Sequence, residues 1–190
     1  MKHRLFLAID LPPVQSQLVF QLQQQLDKLG MPISWEPEEK LHMTLNFVGR
    51  LDNEQTVSLQ RSVLSWVNSI PQFSLKLTFL ESMYNRHEPS IIYLAPTGDI
   101  EQLKNLQAAI TTNLTNLSIP QPIRFLPHVT IGKLKRTDPT LTKKFLDQIS
   151  DQPAPQIPEF TVEAVVLYES FLSRSGSHYQ RVRHYSLSRD

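Results

Sequence analysis

Cysteine is absent from this chain of 190 residues. Disulfides, thiolate metal sites and cysteine nucleophiles are thereby removed, and the composition fits a reducing compartment. A surplus of charge is lacking too, since 19 Lys and Arg stand against 18 Asp and Glu for a net charge of +1. That balance is too even for a protein that coats duplex nucleic acid by charge alone, so any such contact should be local. No stretch approaches the roughly 20 apolar residues of a membrane span. The opening MKHRLFLAIDLPP, basic and then briefly apolar, lacks the length and the small-residue cleavage site of a secretion signal. A cytoplasmic monomer with no membrane partner is expected. With 40% hydrophobic and 19% charged residues the chain also lacks the signature of disorder. One compact domain over residues 1–190 should bury about 70% of the unfolded chain's surface.

Acidic residues are missing from one region, 170–189, which carries Arg174, Arg181, Arg183, Arg189, His178 and His184. It reads either as a solvated basic tail or as a segment that meets an anion. Elsewhere periodicity predicts a strand at 4–9, a helix at 14–29 with Leu18, Leu22, Leu26 and Leu29 at helical spacing and Gly30 as its stop, an alternating strand at 41–48, a helix at 53–67 and a strand at 73–80. The order then repeats: strand 91–95, helix 100–117, strand 127–134, helix 140–149, strand 160–167. His42 maps onto His128 (128 − 42 = 86) and Phe73 onto Phe160 (160 − 73 = 87), with FSLKLTFLES echoed by FTVEAVVLYES. Two long copies are too few for a solenoid, which needs about three or more. The expectation is a pseudo-twofold duplicated α+β domain of two repeats, about 1–86 and 87–172, plus a C-terminal strand at 179–187. The proline-rich stretch 151–158 reads as a surface loop.

The duplication gives weight to a short pattern. On a strand, residues two apart share a face, so His42 and Thr44 point one way and Leu41, Met43 and Leu45 the other; His128 and Thr130 stand likewise against Val129 and Ile131. If the repeat is also a spatial twofold, the two His-x-Thr faces oppose each other across a cleft. Two imidazoles with an ordinary pKa near 6.5 can serve as one base and one acid, and two hydroxyls can bind non-bridging phosphate oxygens. A cyclic phosphodiester suits such a site, because displacement at phosphorus needs a proton removed on one side and delivered on the other. A single His-x-Thr would more often be structural, and a zinc site would want a third ligand that the sequence does not offer at metal spacing. His3, His87, His178 and His184 lack the context and read as surface residues.

The segments RLFLAIDLP, KLHMTLNFVG, LPHVTIGK and LYES…YQRVRHYSL, in this order and spacing over nearly the whole chain, resemble the two-histidine phosphoesterases. Within them they are most similar to the bacterial and archaeal RNA 2',3'-cyclic phosphodiesterases, historically called 2'-5' RNA ligases. The resemblance implies a bilobal α+β fold with two antiparallel sheets facing a central groove and helices outside. It also implies no cofactor or metal, RNA 3' ends or small cyclic phosphates as partners, hydrolysis of a terminal 2',3'-cyclic phosphate to a 2'-phosphate, and a possible reverse 2'-5' ligation. His42 would be the proton donor to the leaving 3'-oxygen and His128 the acceptor that activates water. The local symmetry lets either imidazole take either role. Thr44 and Thr130 fall at the phosphate-binding places. Lys133 stands where the family commonly has arginine, keeping the charge without the bidentate fork. Strict alternation aims Lys133 away from His128 unless the strand bulges, for example at Gly132. The repeat sets Phe47 opposite Lys133 (47 + 86 = 133), where it would stack on a terminal base or belong to the core. Rival readings are a different cyclic phosphate or a 2'-5' oligonucleotide as substrate, an RNA-end-binding module without turnover, and a purely structural protein.

Overall fold

A computed structural model of the protein describes residues 2–83, 90–121, 124–135, 138–173 and 176–189. The elements run β1 (His3–Asp10), α1 (Pro13–Asp27), β2 (Ile33–Trp35), a 3-10 turn (Glu38–Lys40), β3 (His42–Leu51), α2 (Asn53–Val67) and β4 (Phe73–Met83). They continue with β5 (Ser90–Gly98), α3 (Ile100–Asn116), β6 (Val129–Leu134), α4 (Pro139–Ser150), β7 (Phe160–Val162), β8 (Ala164–Ser173) and β9 (Gly176–Ser186). The predicted helix and strand order is therefore present. The periodicity missed β2, at three residues too short to show a pattern, and ran β7 and β8 together across Glu163.

Helix boundaries follow from local chemistry. The Asp52 carboxylate accepts from the Gln55 amide and the Gln55 side chain accepts from the Asp52 amide, a reciprocal cap that starts α2. Pro13 and Pro139 sit in the first turns of α1 and α4, where a missing N–H costs nothing. In α1 the buried face differs from the predicted leucine stripe. Gln15, Ser16, Val19, Gln23 and Leu26 are buried, Leu18 and Leu22 only flank the core, and Leu29 lies beyond the helix and is exposed.

The strands form one curled antiparallel sheet in two halves, β7-β4-β5-β6 and β3-β1-β8-β9, with β2 added to β6. The halves meet at a single residue pair, Met43 with Val129, both fully buried. Each half of the sequence lends a strand to the other lobe: β4 pairs with β5, and β8 pairs with β1. Helices α2 and α3 lie against β3, α3 and α4 against β4, and α1 against β6. Leu5, Leu7 and Ile9 of β1 join the large core beneath the helices, whereas Phe6 and Ala8 form a second, smaller cluster with Val166 and Tyr168 on the opposite face. The uninterrupted apolar run of β1 is thus buried on both sides. Within the connector 151–158, Pro155 and Ile157 are buried and the rest is mostly exposed; the Gln15 side-chain amide donates to the adjoining Pro158 carbonyl. Among the described residues no helix is long and apolar enough to cross a membrane.

Candidate active site

The antiparallel pairing of Met43 with Val129 decides where the two motifs lie. Counting outward in opposite directions sets His42 across from Thr130 and Thr44 across from His128, all on the face away from the helices. Both imidazoles and both hydroxyls line one cleft of about 410 Å³, together with Phe47 and Lys133.

Each motif is followed by a bulge. In β3, Thr44 pairs with Ala8 and Asn46 with Leu7, leaving Leu45 as the extra residue. In β6, Thr130 pairs with Tyr93 and Gly132 with Ile92, leaving Ile131 extra. The two positions are equivalent in the repeat (45 + 86 = 131). An extra residue inverts the alternation beyond it, so the side chain five positions after each histidine swings back to the cleft. This is how Lys133 reaches the groove and why Phe47 is 62% exposed on its rim instead of in the core. Gly132 is not itself the extra residue. A Cβ there would lie 2.8 Å from both the Ile33 Cγ2 and Trp35 Cε3 atoms, so glycine is needed to let β2 pack on the bulge.

The bulge on β6 has a dedicated clamp. The Ile131 carbonyl accepts from the Glu36 amide at 2.9 Å and from the Gln23 side-chain amide at 2.8 Å. The same Gln23 nitrogen donates to the Glu36 carbonyl at 2.8 Å. Gln23 is 3% exposed, which explains a buried amide on the inner face of α1.

The imidazoles are held alike. His42 Nδ1 donates to the Lys40 carbonyl at 2.7 Å and His128 Nδ1 to the Leu126 carbonyl at 2.8 Å, each two residues back. A carbonyl oxygen only accepts, so Nδ1 carries the proton in both neutral rings and Nε2 keeps the lone pair. His42 Nε2 lies 3.2 Å from the Thr44 hydroxyl. Their surroundings differ. His42 is walled by Phe6, at 5.1 Å between ring centres, and by Tyr179 and Tyr168, whereas His128 meets Tyr93 edge-on. Burial lowers the pKa of His42; the Lys40 carbonyl bond and the charges of Asp10 and Glu36 oppose that shift, and His128 adds to it. In the free protein this shift favours the neutral ring of His42.

Three charged side chains of the cleft were not singled out by the sequence reading: Arg4, Glu36 and Lys40. Glu36 forms an ion pair with Lys133. Lys40 carries a recoverable signal, because the residue two before a strand histidine offers its carbonyl to that ring. Glu36 follows a strand too short to recognise. The acid-free C-terminal segment lines this cleft through Ser170, Ser177 and Tyr179; Arg181 is not part of that lining, its guanidinium being bound to Asp10 at 2.9 Å and to the Tyr168 hydroxyl at 3.1 Å. Tyr168 in turn donates to Asp10 at 2.6 Å, and burial together with that bond pushes its pKa up to about 12. Arg183 is turned toward α2 and binds Gln60. Arg181 and exposed His184 border a second cleft of about 930 Å³, shared with Asp10. His3 is not an unattached surface residue, since its two nitrogens bond Glu169 and Asn53. His178 is exposed, and His87 and Arg174 lie outside the described residues. Among the described residues, no group of three or more His, Asp or Glu is placed to hold a metal ion.

The chain has relatives among known proteins. The chain is 28% identical over 180 residues to an RNA 2',3'-cyclic phosphodiesterase of Methanocaldococcus jannaschii, covering 95% of this chain and 98% of that protein. It is 25% identical to one of Thermotoga maritima, covering 93% and 91%. In three dimensions it superposes on Escherichia coli LigT with a TM-score of 0.77 at 20% identity over 98% of each chain. The Thermus thermophilus protein TT0787 gives 0.77 at 22% identity, covering 96% of this chain and 97% of that one. With residues 12–170 matching its family pattern, the chain belongs to the 2'-5' RNA ligase superfamily.

Proposed function

We propose that the protein hydrolyses terminal 2',3'-cyclic phosphates of RNA to 2'-phosphates, without a metal, by proton transfer between His42 and His128. The observation that carries this reading is the matched pair of rings, each with Nδ1 spent on a carbonyl and both lining one cleft with Thr44 and Thr130. Relatives named RNA 2',3'-cyclic phosphodiesterases, and a solved complex of the similar LigT with 3'-AMP, support the substrate class. In the proposed step a water oxygen attacks phosphorus and the P–O3' bond breaks. The water proton passes to His128 Nε2, and His42 Nε2–H delivers a proton to the departing 3'-oxygen. The Thr44 and Thr130 hydroxyls donate to the non-bridging oxygens, and Phe47 offers a ring on which a terminal base stacks. With the 5'-hydroxyl of a second strand in place of water, the same displacement of the 3'-oxygen, with the histidines in the same roles, describes 2'-5' ligation. Incubation with a short RNA ending in 2',3'-cyclic phosphate, with the product end identified, tests the reading; a product ending in 3'-phosphate, or no turnover, overturns it.

Chelation gives a second check. Because imidazoles and hydroxyls supply every role, exhaustive EDTA treatment should leave turnover unchanged, and loss restored by a divalent ion would refute the metal-free mechanism.

Lys133 is assigned to the phosphate. A single ammonium acts as a point charge that holds ground and transition states alike, so Lys133→Ala should raise KM more than it lowers kcat. Rising salt should then weaken the wild type more than the variant, since one phosphate contact and its counterion release are gone. Unchanged KM and salt response in Lys133→Ala would remove the residue from the phosphate site.

A further inference from the structure

We propose that Glu36 is a specificity-determining residue of this groove, an internal competitor for Lys133 that favours monoanionic cyclic phosphodiesters over dianionic phosphomonoesters and so speeds release of the product. The inference rests on the phosphate-binding role given to the cleft above. Its starting point is geometric. Glu36 and Lys133 form an ion pair in the same cleft as both imidazoles, with the Glu36 side chain 17% exposed and that of Lys133 49%. The carboxylate cannot simply swing away with its backbone, because the Glu36 amide and carbonyl are both tied into the Ile131 bulge through 2.9 and 2.8 Å hydrogen bonds. Any anion that comes to Lys133 must therefore displace the Glu36 carboxylate from Lys133 or lie beside it.

The consequence depends on ligand charge. Among the described lining residues Arg4, Lys40 and Lys133 are cationic and Glu36 is the carboxylate, so with neutral imidazoles the cleft carries 3 − 1 = +2. Coulomb repulsion scales with the charge of the ligand. Whatever factor Glu36 costs a monoanion, it costs a dianion approximately the square of that factor. A 2',3'-cyclic phosphate is a monoanion at neutral pH, whereas the 2'-phosphomonoester formed from it is close to a dianion, with a second pKa of about 6. One added negative charge on the product thus meets a carboxylate already in place.

The test is titration calorimetry at pH 8 with inorganic phosphate, adenosine 2'-monophosphate and adenosine 2',3'-cyclic phosphate, on wild type and Glu36→Gln, with thermal melting as the check of folding. Glutamine keeps the shape and removes the charge. Glu36→Gln is expected to tighten both dianions on the order of tenfold and the cyclic ester about threefold. Product inhibition by the 2'-monophosphate should strengthen in parallel. In the Glu36→Gln/Lys133→Gln double variant the gain should vanish. Equal tightening of all three ligands, or none, overturns the proposal while leaving a phosphate-binding cleft intact. If the wild type binds none of the three, the phosphate reading of the cleft falls, and this inference with it. Should Glu36→Gln fold poorly, Glu36→Ala with the same ligands decides between the same outcomes, since it too removes the charge.

Discussion

His42→Ala and His128→Ala are each expected to lower turnover of a cyclic-phosphate RNA end by at least about 10²-fold, with the circular dichroism spectrum unchanged. The size follows from the chemistry, since both proton transfers occur at one phosphorus and general acid–base action contributes about 10²–10⁴ per group. The lack of structural damage follows from position. Both rings face the groove, and each gives up one bond to a carbonyl that water can satisfy once the ring is gone. The double variant should lose little more than either single one, because a base without its acid does not complete the step. A single variant that turns over near the wild-type rate, correctly folded, would sink the paired mechanism.

The pH profile adds a sign. Burial lowers the pKa of His42 in the free protein, so its acid form is lost at lower pH than in an ordinary histidine. A bound phosphate anion favours the imidazolium and raises that value again. The alkaline limb of kcat should therefore lie at higher pH than the alkaline limb of kcat/KM, since the first reports the complex and the second the free enzyme. Both limbs describe the pair rather than one ring. Coincident limbs would mean that the bound anion does not act on His42.

The contrast between what could and could not be read in the sequence has a physical basis. Alternation in 41–48 and the register of two copies were enough to pair His42 with His128 and each with its threonine, because both motifs lie before the first bulge of their strand, where the period of two holds. The same rule failed at Phe47 and Lys133, where an extra residue reverses it. A bulge is set by how the neighbouring strand pairs, and Ala8, Leu7, Tyr93 and Ile92 lie far away in the chain. Gly132 hinted at the irregularity, but for packing reasons and at the wrong position. Gln23 lies outside the Leu18, Leu22, Leu26 and Leu29 pattern on which the helix was predicted. Its burial makes sense only once β2 and the Ile131 carbonyl are in view. Glu36 escaped for the same reason, being brought to Lys133 by a strand of three residues.

Gly132→Ala tests the wall that carries Lys133, and the expected result is a loss of about 1–3 kcal/mol in stability together with a raised KM. Its new Cβ would sit 2.8 Å from the Trp35 ring, a separation that side-chain carbons do not tolerate, so the indole or the strand must move. The indole is not free to yield, since Trp35 Nε1 donates to Asp27 at the end of α1 at 2.8 Å. The strain therefore passes to β2, which pairs Trp35 with Gly132 and Ser34 with Lys133 and leads directly into Glu36. Displacing it loosens the Glu36 amide from the Ile131 carbonyl and lets Lys133 drift from the phosphate position. Urea unfolding should show a lower midpoint at unchanged slope. Trp35→Leu makes room for the methyl group, so adding it to Gly132→Ala should recover part of the lost stability, although alone it leaves a gap against glycine and destabilises. That opposite sign in the two backgrounds is a coupling that only direct contact produces. If Gly132→Ala melts with the wild-type midpoint and keeps its KM, the contact of Trp35 with Gly132 does not hold the bulge, and the clamp on Lys133 reduces to the Gln23 and Glu36 hydrogen bonds alone.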